Sequence, residues 1–263
     1  FDKRTSQFAQ FLLAHGIQRG DRVAVLSENS IEYVELLVAG AKIGAIIACR
    51  NWRLAGPELA HCISLVAPKI LFTSARHAEK SQALQLSVKT YILDQSFGEQ
   101  CVLCSDAVPI EQTNPEDGAV ILYTSGTTGN PKGVAYSQKT TYLHALASRA
   151  VDSFAVQERD TILMLPSMFH ANAWGFPYSG WMSGADMVMP GPHLQGAHLR
   201  AMIEQARPTL TAMVPTILGD LLAADEESPL DLSCFRAIVS GGSAVPSSMI
   251  EAVRDRWNVP VIQ

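Results

Sequence analysis

Residues 119–134 read Ala-Val-Ile-Leu-Tyr-Thr-Ser-Gly-Thr-Thr-Gly-Asn-Pro-Lys-Gly-Val: an apolar run gives way to small hydroxyl residues, glycines and one lysine within a single turn. The run Ala119–Tyr123 has the length and composition of a buried strand. The glycines and hydroxyls that follow let backbone N–H groups converge on a polyanion without side-chain obstruction, and Lys132 adds a mobile positive charge. A strand that delivers a phosphate-binding loop (123–134) at its carboxyl end is the arrangement in which open α/β sheets place ligands.

Two other phosphate loops are excluded by spacing. A Walker A loop counted from Gly126 would have Pro131 where its second glycine belongs and Gly133 where a magnesium-binding hydroxyl must follow Lys132. A dinucleotide fingerprint needs G-x-G-x-x-G opening a helix after a strand, and the glycines here do not fall on that pattern. The plain alternative is a surface loop that happens to be rich in Gly and Thr.

Outward from this stretch, strand-like and helix-like patterns alternate. Phe8, Phe11 and Leu12 stripe a helix that stops near Gly16, and Asp21 leads into the strand Val23–Leu26. Asn29 and Glu32 read as a capping pair for a helix through Lys42, followed by the apolar run Gly44–Cys49. Pro57-Glu58 opens a further helix, and Ile70–Phe72 and Tyr91–Leu93 are further strands. After a helix over about 137–150, the polar Gln157-Glu158-Arg159-Asp160 reads as a boundary. A second alternating set follows: Thr161–Leu165, Met187–Met189, Leu210–Val214 and Ala237–Val239. The expected fold class is α/β, with two stacked subdomains of mostly parallel sheets flanked by helices. Residues 1–160 form the first subdomain, with the phosphate loop. Residues 161–263 form the second, incomplete at its C-terminal end.

The 263 residues are 48% hydrophobic and 17% charged, which suits a globular protein rather than a disordered one. A formal net charge of −5 with no basic run excludes a nucleic-acid footprint, so an anionic nucleotide must be bound by local groups. The most apolar stretches are interrupted by Glu35, Lys42 and Asp220, too early for a transmembrane helix. The five cysteines are odd in number and scattered, which favours reduced thiols and a cytoplasmic setting. Cys101-Val-Leu-Cys104 has C-x-x-C spacing but neither a second ligand pair nor a helix start, so it reads as incidental.

The motif Tyr-Thr-Ser-Gly-Thr-Thr-Gly-Asn-Pro-Lys-Gly at 123–133 resembles the signature of the adenylate-forming acyl-CoA synthetases. Leu165–Gly175 (Leu-Pro-Ser-Met-Phe-His-Ala-Asn-Ala-Trp-Gly) is similar to their second motif, and Val239–Pro246 (Val-Ser-Gly-Gly-Ser-Ala-Val-Pro) to their adenine-side loop. The Phe-His-Ala-Asn-Ala-Trp form is most similar to medium- and long-chain fatty-acid ligases. The resemblance implies ATP-dependent activation of a fatty acid to an acyl-adenylate, then thioester formation with CoA. ATP, CoA and a small carboxylic acid are the implied partners, with Mg2+ accompanying the nucleotide and a homodimer as one allowed assembly. An aryl-acid ligase of the 4-coumarate or benzoate type, or a nucleotide- or acyl-binding module without turnover, stay open as alternatives.

By the same resemblance, Thr124, Ser125, Gly126, Thr127, Thr128, Gly129 and Lys132 hold the phosphates, with Thr124 also the magnesium contact and Pro131 stiffening the loop. Ser240, Gly241, Gly242 and Ser243 approach adenine or the acyl carbonyl, and Gln263 touches the nucleotide. Taken alone, Gly241-Gly242 would read as a turn after a strand. The attacking carboxylate is already ionised at neutral pH, so His170 is expected to position rather than to act as a base, with a structural histidine as its alternative. Trp174 is similar to the tryptophan that gates the acyl tunnel, with simple packing as its alternative, and Gly175 leaves room for an acyl chain. The family's catalytic lysine and Thr-Glu motif have no counterpart here. Both ends read as cut, so the chain is expected to be the N-terminal part of a longer enzyme and inactive alone.

Overall fold

A computed structural model describes residues 1–109, 113–124, 131–194 and 196–263. It contains two compact units: Phe1–Leu143 with Met168–Asn172, and His144–Ser167 with Ala173–Gln263.

The first unit carries the strands β1 (Arg22–Leu26), β2 (Ile46–Cys49), β3 (Ile70–Ser74), β4 (Lys89–Leu93), β5 (Gly118–Thr124) and β6 (Lys132–Ser137) in one sheet of order β4-β3-β1-β2-β5-β6. Every neighbouring pair is parallel except β5 with β6. Its helices are α1 (Asp2–Ala14), α2 (Ile31–Ile43), α3 (Gly56–Val66), α4 (Ala78–Ala83) and α5 (Gln95–Val102); α6 (Gln138–Ser148) leads into the second unit. The central strand is inaccessible from Val23 to Leu26, as a parallel strand buried on both faces should be. An aromatic cluster ties α1 and α5 to the sheet, with Phe8 edge-on to Phe72 at 5.3 Å and to Phe97 at 4.9 Å. Such pairs add about 0.5–1.5 kcal/mol each beyond their buried area.

Two expectations change here. The α2 cap is Ser30, not Asn29: Ser30 lies in extended backbone and its hydroxyl accepts the Tyr33 amide at 3.2 Å. Asn29 instead turns its Oδ1 to the Met168 amide at 2.8 Å. Lys132–Ser137, expected as the end of a loop and the approach to a helix, forms β6, antiparallel to β5 with Tyr123 opposite Gly133 and Thr124 opposite Lys132.

The second unit has β7 (Thr161–Leu163), β8 (Asp186–Val188), β9 (Leu210–Met213), β10 (Ala237–Ser240) and β11 (Val261–Ile262), all parallel, in the order β11-β10-β9-β7-β8. Helices α8 (Phe176–Ser183), α9 (Gly196–Ala206), α10 (Pro215–Glu227) and α11 (Ser247–Trp257) accompany them, and a one-turn segment α7 (Ala171–Trp174) lies where the chain passes from the first unit to the second. Leu163, Met213, Leu218, Ile238 and Val253 are central to its core.

The division of the chain falls within α6, upstream of residue 160, because the polar run 157–160 is anchored in the second unit. Asp160 is buried, accepts from Arg236 Nε at 2.7 Å and Nη2 at 2.8 Å, and also from Thr209 Oγ1 at 2.7 Å and the Gln157 amide at 3.0 Å. Burial alone would raise its pKa, but the donors of Arg236, Thr209 and Gln157 outweigh that effect and hold the carboxyl below its ordinary value. Among the described residues no helix is long and apolar enough to cross a membrane.

Candidate functional site

The β5–β6 hairpin sets the first part of the site. Val120 and Ile121 are buried and paired with Ile47 and Ala48 of β2, so β5 is held in the sheet up to the point where Thr124 becomes exposed. Lys132, also exposed, stands opposite Thr124 in the ladder. The two expected phosphate contacts at the ends of the motif are thus fixed across a strand pair, with Pro131 beside Lys132. Ser125, Gly126, Thr127, Thr128 and Gly129 lie outside the described residues.

Tyr123 anchors the carboxyl end of β5. Its hydroxyl donates to the Cys62 carbonyl of α3 at 3.0 Å, and the Arg50 guanidinium lies 4.3 Å from its ring centroid. A Cβ at Gly133 opposite would meet Ile121 Cγ2 at a tight 3.2 Å and the Tyr123 ring at an ordinary 3.6 Å.

The second motif divides at Asn172. Met168–Asn172 belongs to the first unit, where Phe169 is buried and lies edge-on to Trp52 at 6.0 Å, and Trp52 stacks on His77 at 5.2 Å. His170 is exposed next to this packing. Asn172 is only 4% exposed, yet among the described residues neither atom of its amide has a hydrogen-bond partner.

From Ala171 to Trp174 the backbone is left-handed, with φ of 44°, 50°, 51° and 58°, and Gly175 continues it at 78°. L-residues reach that region at a cost of about 1–2 kcal/mol each, and single glycines or asparagines are its usual occupants. Four successive non-glycine residues there are a reservoir of backbone strain, of the kind that clusters at ligand sites. Gly175 is obligatory on two counts: its positive φ, and the His144 ring, whose Nδ1 would be 2.4 Å from a Cβ.

The second unit brings three expected residues together. Ser240 ends β10 and is buried, with an Oγ that has no hydrogen-bond partner among the described residues. Gly241 follows against the Trp174 indole, whose Cη2 would lie 3.2 Å from a Cβ at that position. The expected acyl gate and the expected adenine-side loop therefore meet at a glycine, where an added Cβ would press on the indole. Gly242 and Ser243 are exposed beyond them. Because Val239 pairs with Ile262, the register continued by one residue sets Gln263 beside Ser240 at the carboxyl ends of adjacent parallel strands.

Among the described residues no three His, Cys, Asp or Glu side chains are grouped to hold a metal ion. Magnesium takes most of its ligands from phosphate oxygens and water and only one or two from protein, a demand that an exposed hydroxyl such as Thr124 fits. Burial pushes the Cys49 and Cys101 thiols up to about 12, which makes those two poor nucleophiles.

Sequence reasoning did not single out Arg50, the unpaired amide of Asn172 or the Asp160 hub. Arg50 stands between Cys49 and Asn51 with no motif to mark it, and Asp160 was hidden in a polar run. Asn172 carried a faint signal, since Asn is the side chain after Gly most tolerant of positive φ.

Comparison with known proteins places the geometry in a family context. The family model described as "AMP-binding enzyme" matches residues 1–263. A long-chain-fatty-acid–CoA ligase of Thermus thermophilus is 36% identical over 260 residues, covering 96% of this chain and 48% of that protein. A 3-methylmercaptopropionyl-CoA ligase of Ruegeria pomeroyi is 33% identical over 264 residues, covering 94% of this chain and 49% of that protein. Among solved structures, the inhibitor-bound N-terminal domain of FACL13 from Mycobacterium tuberculosis superposes with a TM-score of 0.88 at 30% identity, covering 98% of this chain and 66% of that one. The chain spans about half the length of the curated relatives it matches.

Proposed function

We propose that this chain, which belongs to the AMP-binding enzyme family, supplies the nucleotide- and acid-binding part of an ATP-dependent fatty-acid–CoA ligase. The β5–β6 hairpin carries the reading, because it fixes Thr124 and Lys132 opposite each other at the two ends of the Ser-Gly-Thr-Thr-Gly segment.

In the first half-reaction a carboxylate oxygen attacks the α-phosphorus of ATP, forming an acyl-adenylate and releasing pyrophosphate. In the second, the CoA sulfur attacks the acyl carbonyl and AMP leaves. Charge builds on phosphate oxygens in the first step, so the need is for fixed cations and donors rather than a covalent nucleophile. We assign Lys132, with Thr124, Ser125, Gly126, Thr127, Thr128 and Gly129, to the β- and γ-phosphates. Magnesium, when bound, would neutralise phosphate charge, with the Thr124 hydroxyl as its protein contact. Ser240, Gly241, Gly242, Ser243 and Gln263 take the adenine or acyl-carbonyl side. Ser240 Oγ suits this role because it is buried and its hydrogen-bonding capacity is unspent. His170 is a positioning residue, and Trp174 with Gly175 borders the acyl group.

The acid is proposed to be a medium- or long-chain fatty acid, on the Phe-His-Ala-Asn-Ala-Trp segment and the ligase from Thermus thermophilus. Turnover is proposed of the whole protein. ATP–pyrophosphate exchange on it with palmitate, octanoate and benzoate tests the reading: exchange is expected with the fatty acids, and preference for benzoate would overturn the choice of acid. Exchange with no carboxylic acid at all would overturn the reaction.

A further inference from the structure

Arg50 is among the largest fully buried side chains, with 0% exposure, and among the described residues none of Nε, Nη1 and Nη2 has a hydrogen-bond partner. It directly follows β2, and its own amide donates to the Val25 carbonyl of β1 at 2.9 Å. Its guanidinium covers the ring of Tyr123, the penultimate residue of β5.

Burying a guanidinium without a counter-charge is among the most expensive arrangements a fold can contain. The Tyr123 ring accounts for the stacking but accepts none of the N–H groups in their plane. Among the described residues, the other groups facing the cation are the Tyr33 side chain and the Cys49 and Cys62 thiols, whose pKa values burial raises further from neutrality. Burial lowers the Arg50 pKa to about 10, which leaves it protonated at neutral pH. What remains is a positive charge in low dielectric with its donors unspent, at the carboxyl end of a parallel strand. That is the edge where open α/β sheets bind anions, beside the strand that presents Thr124.

We propose that Arg50 is an anion-attracting residue of this chain, a buried cation behind β5 that strengthens binding of the nucleotide's polyphosphate at Thr124 and Lys132. The proposal rests on the nucleotide reading above. Its effect is electrostatic: a fixed cation in the apolar floor of the site adds attraction for the triphosphate and for departing pyrophosphate, and none for the nucleoside.

The test titrates the protein with inorganic pyrophosphate, ATP and adenosine by calorimetry, in wild type, R50M, R50Q and R50K, with a melting curve for each. R50M and R50Q remove the charge in two ways, so one can be read if the other fails to fold. The neutral variants are expected to bind pyrophosphate and ATP on the order of tenfold more weakly, to bind adenosine as wild type does, and to melt at or above the wild-type temperature. R50K should recover most of the lost affinity. Equal weakening for adenosine would reduce Arg50 to a packing role and overturn the proposal, as would wild-type pyrophosphate affinity in a folded neutral variant. If the wild type binds ATP but the neutral variants bind it equally well, this inference falls alone. If the wild type binds neither ATP nor pyrophosphate, the nucleotide reading falls with it.

Discussion

Where Tyr123 and Thr124 leave β5 the backbone is in a regular ladder, each residue opposite a partner in β6, with the tyrosine hydroxyl bonded and its ring covered. From Ala171 to Gly175 the reverse holds: five successive left-handed residues, a buried asparagine amide with no partner among the described residues, and a glycine that no other residue could replace without strain. The first region places its side chains by satisfying its backbone, and the second by straining it. The difference bears on what each can do: the paired strands hold Thr124 and Lys132 in register, whereas a strained turn stores free energy of the kind found at ligand sites. The turn is also where the chain passes from one unit to the other.

Substitutions can break or sharpen this contrast. The largest effect is expected not in either region but in the anchor that fixes the start of the second unit. Asp160→Asn leaves Arg236 without its bidentate partner and should cost about 3 kcal/mol in denaturant unfolding, as removal of one partner from a buried pair does. Because the Asp160 carboxyl is held below its ordinary 3.8, its contribution is present above pH 3.8 and is lost as pH falls through the lower folded-state value. The variant should therefore lose part of the acid limb of the stability curve, and an unchanged limb would remove Asp160 from the account.

Gly175→Ala tests the strained turn directly and should cost about 2 kcal/mol, from the positive φ and the His144 contact together. Adding His144→Ala should recover only the contact part, leaving about 1 kcal/mol of backbone cost. Full recovery in the double variant would mean that the turn is not strained at Gly175. Lys132→Ala tests the hairpin as a mount: pyrophosphate affinity should fall on the order of tenfold, or about 1.4 kcal/mol, with no change in melting temperature, since Lys132 is exposed. The smallest effect is expected from Ala171→Gly or Ala173→Gly, each stabilising by about 0.5 kcal/mol because relief of the left-handed strain exceeds the added chain entropy of glycine. Destabilisation by either would show that those alanines are not strained.

The same contrast governs what could be read in advance. Regular elements announce themselves through composition and period, and the alternation of Val23–Leu26, Ile70–Phe72, Ala119–Tyr123 and Ala237–Val239 with amphipathic helices was enough for the α/β class. The exception was β6, whose Lys-Gly-Val-Ala-Tyr has no clear alternation and draws its strand character from pairing with β5. Non-local features left no local trace: Ala171 and Trp174 have no preference for positive φ, Asp160 is buried only because Arg236 reaches it from 76 positions away, and Arg50 acquires meaning only beside Tyr123. Ser30 displaced Asn29 as the α2 cap because Asn29 had a partner at Met168, a contact across 139 positions.

The central claim is that the end of the β5–β6 hairpin grips a polyphosphate. Backbone amide chemical-shift mapping during titration with inorganic pyrophosphate tests it most directly. Saturable shifts that include the Thr124 and Lys132 amides, and that Lys132→Ala weakens, are the predicted result. Saturable shifts confined to residues elsewhere in the chain, with Thr124 and Lys132 unmoved, would contradict it.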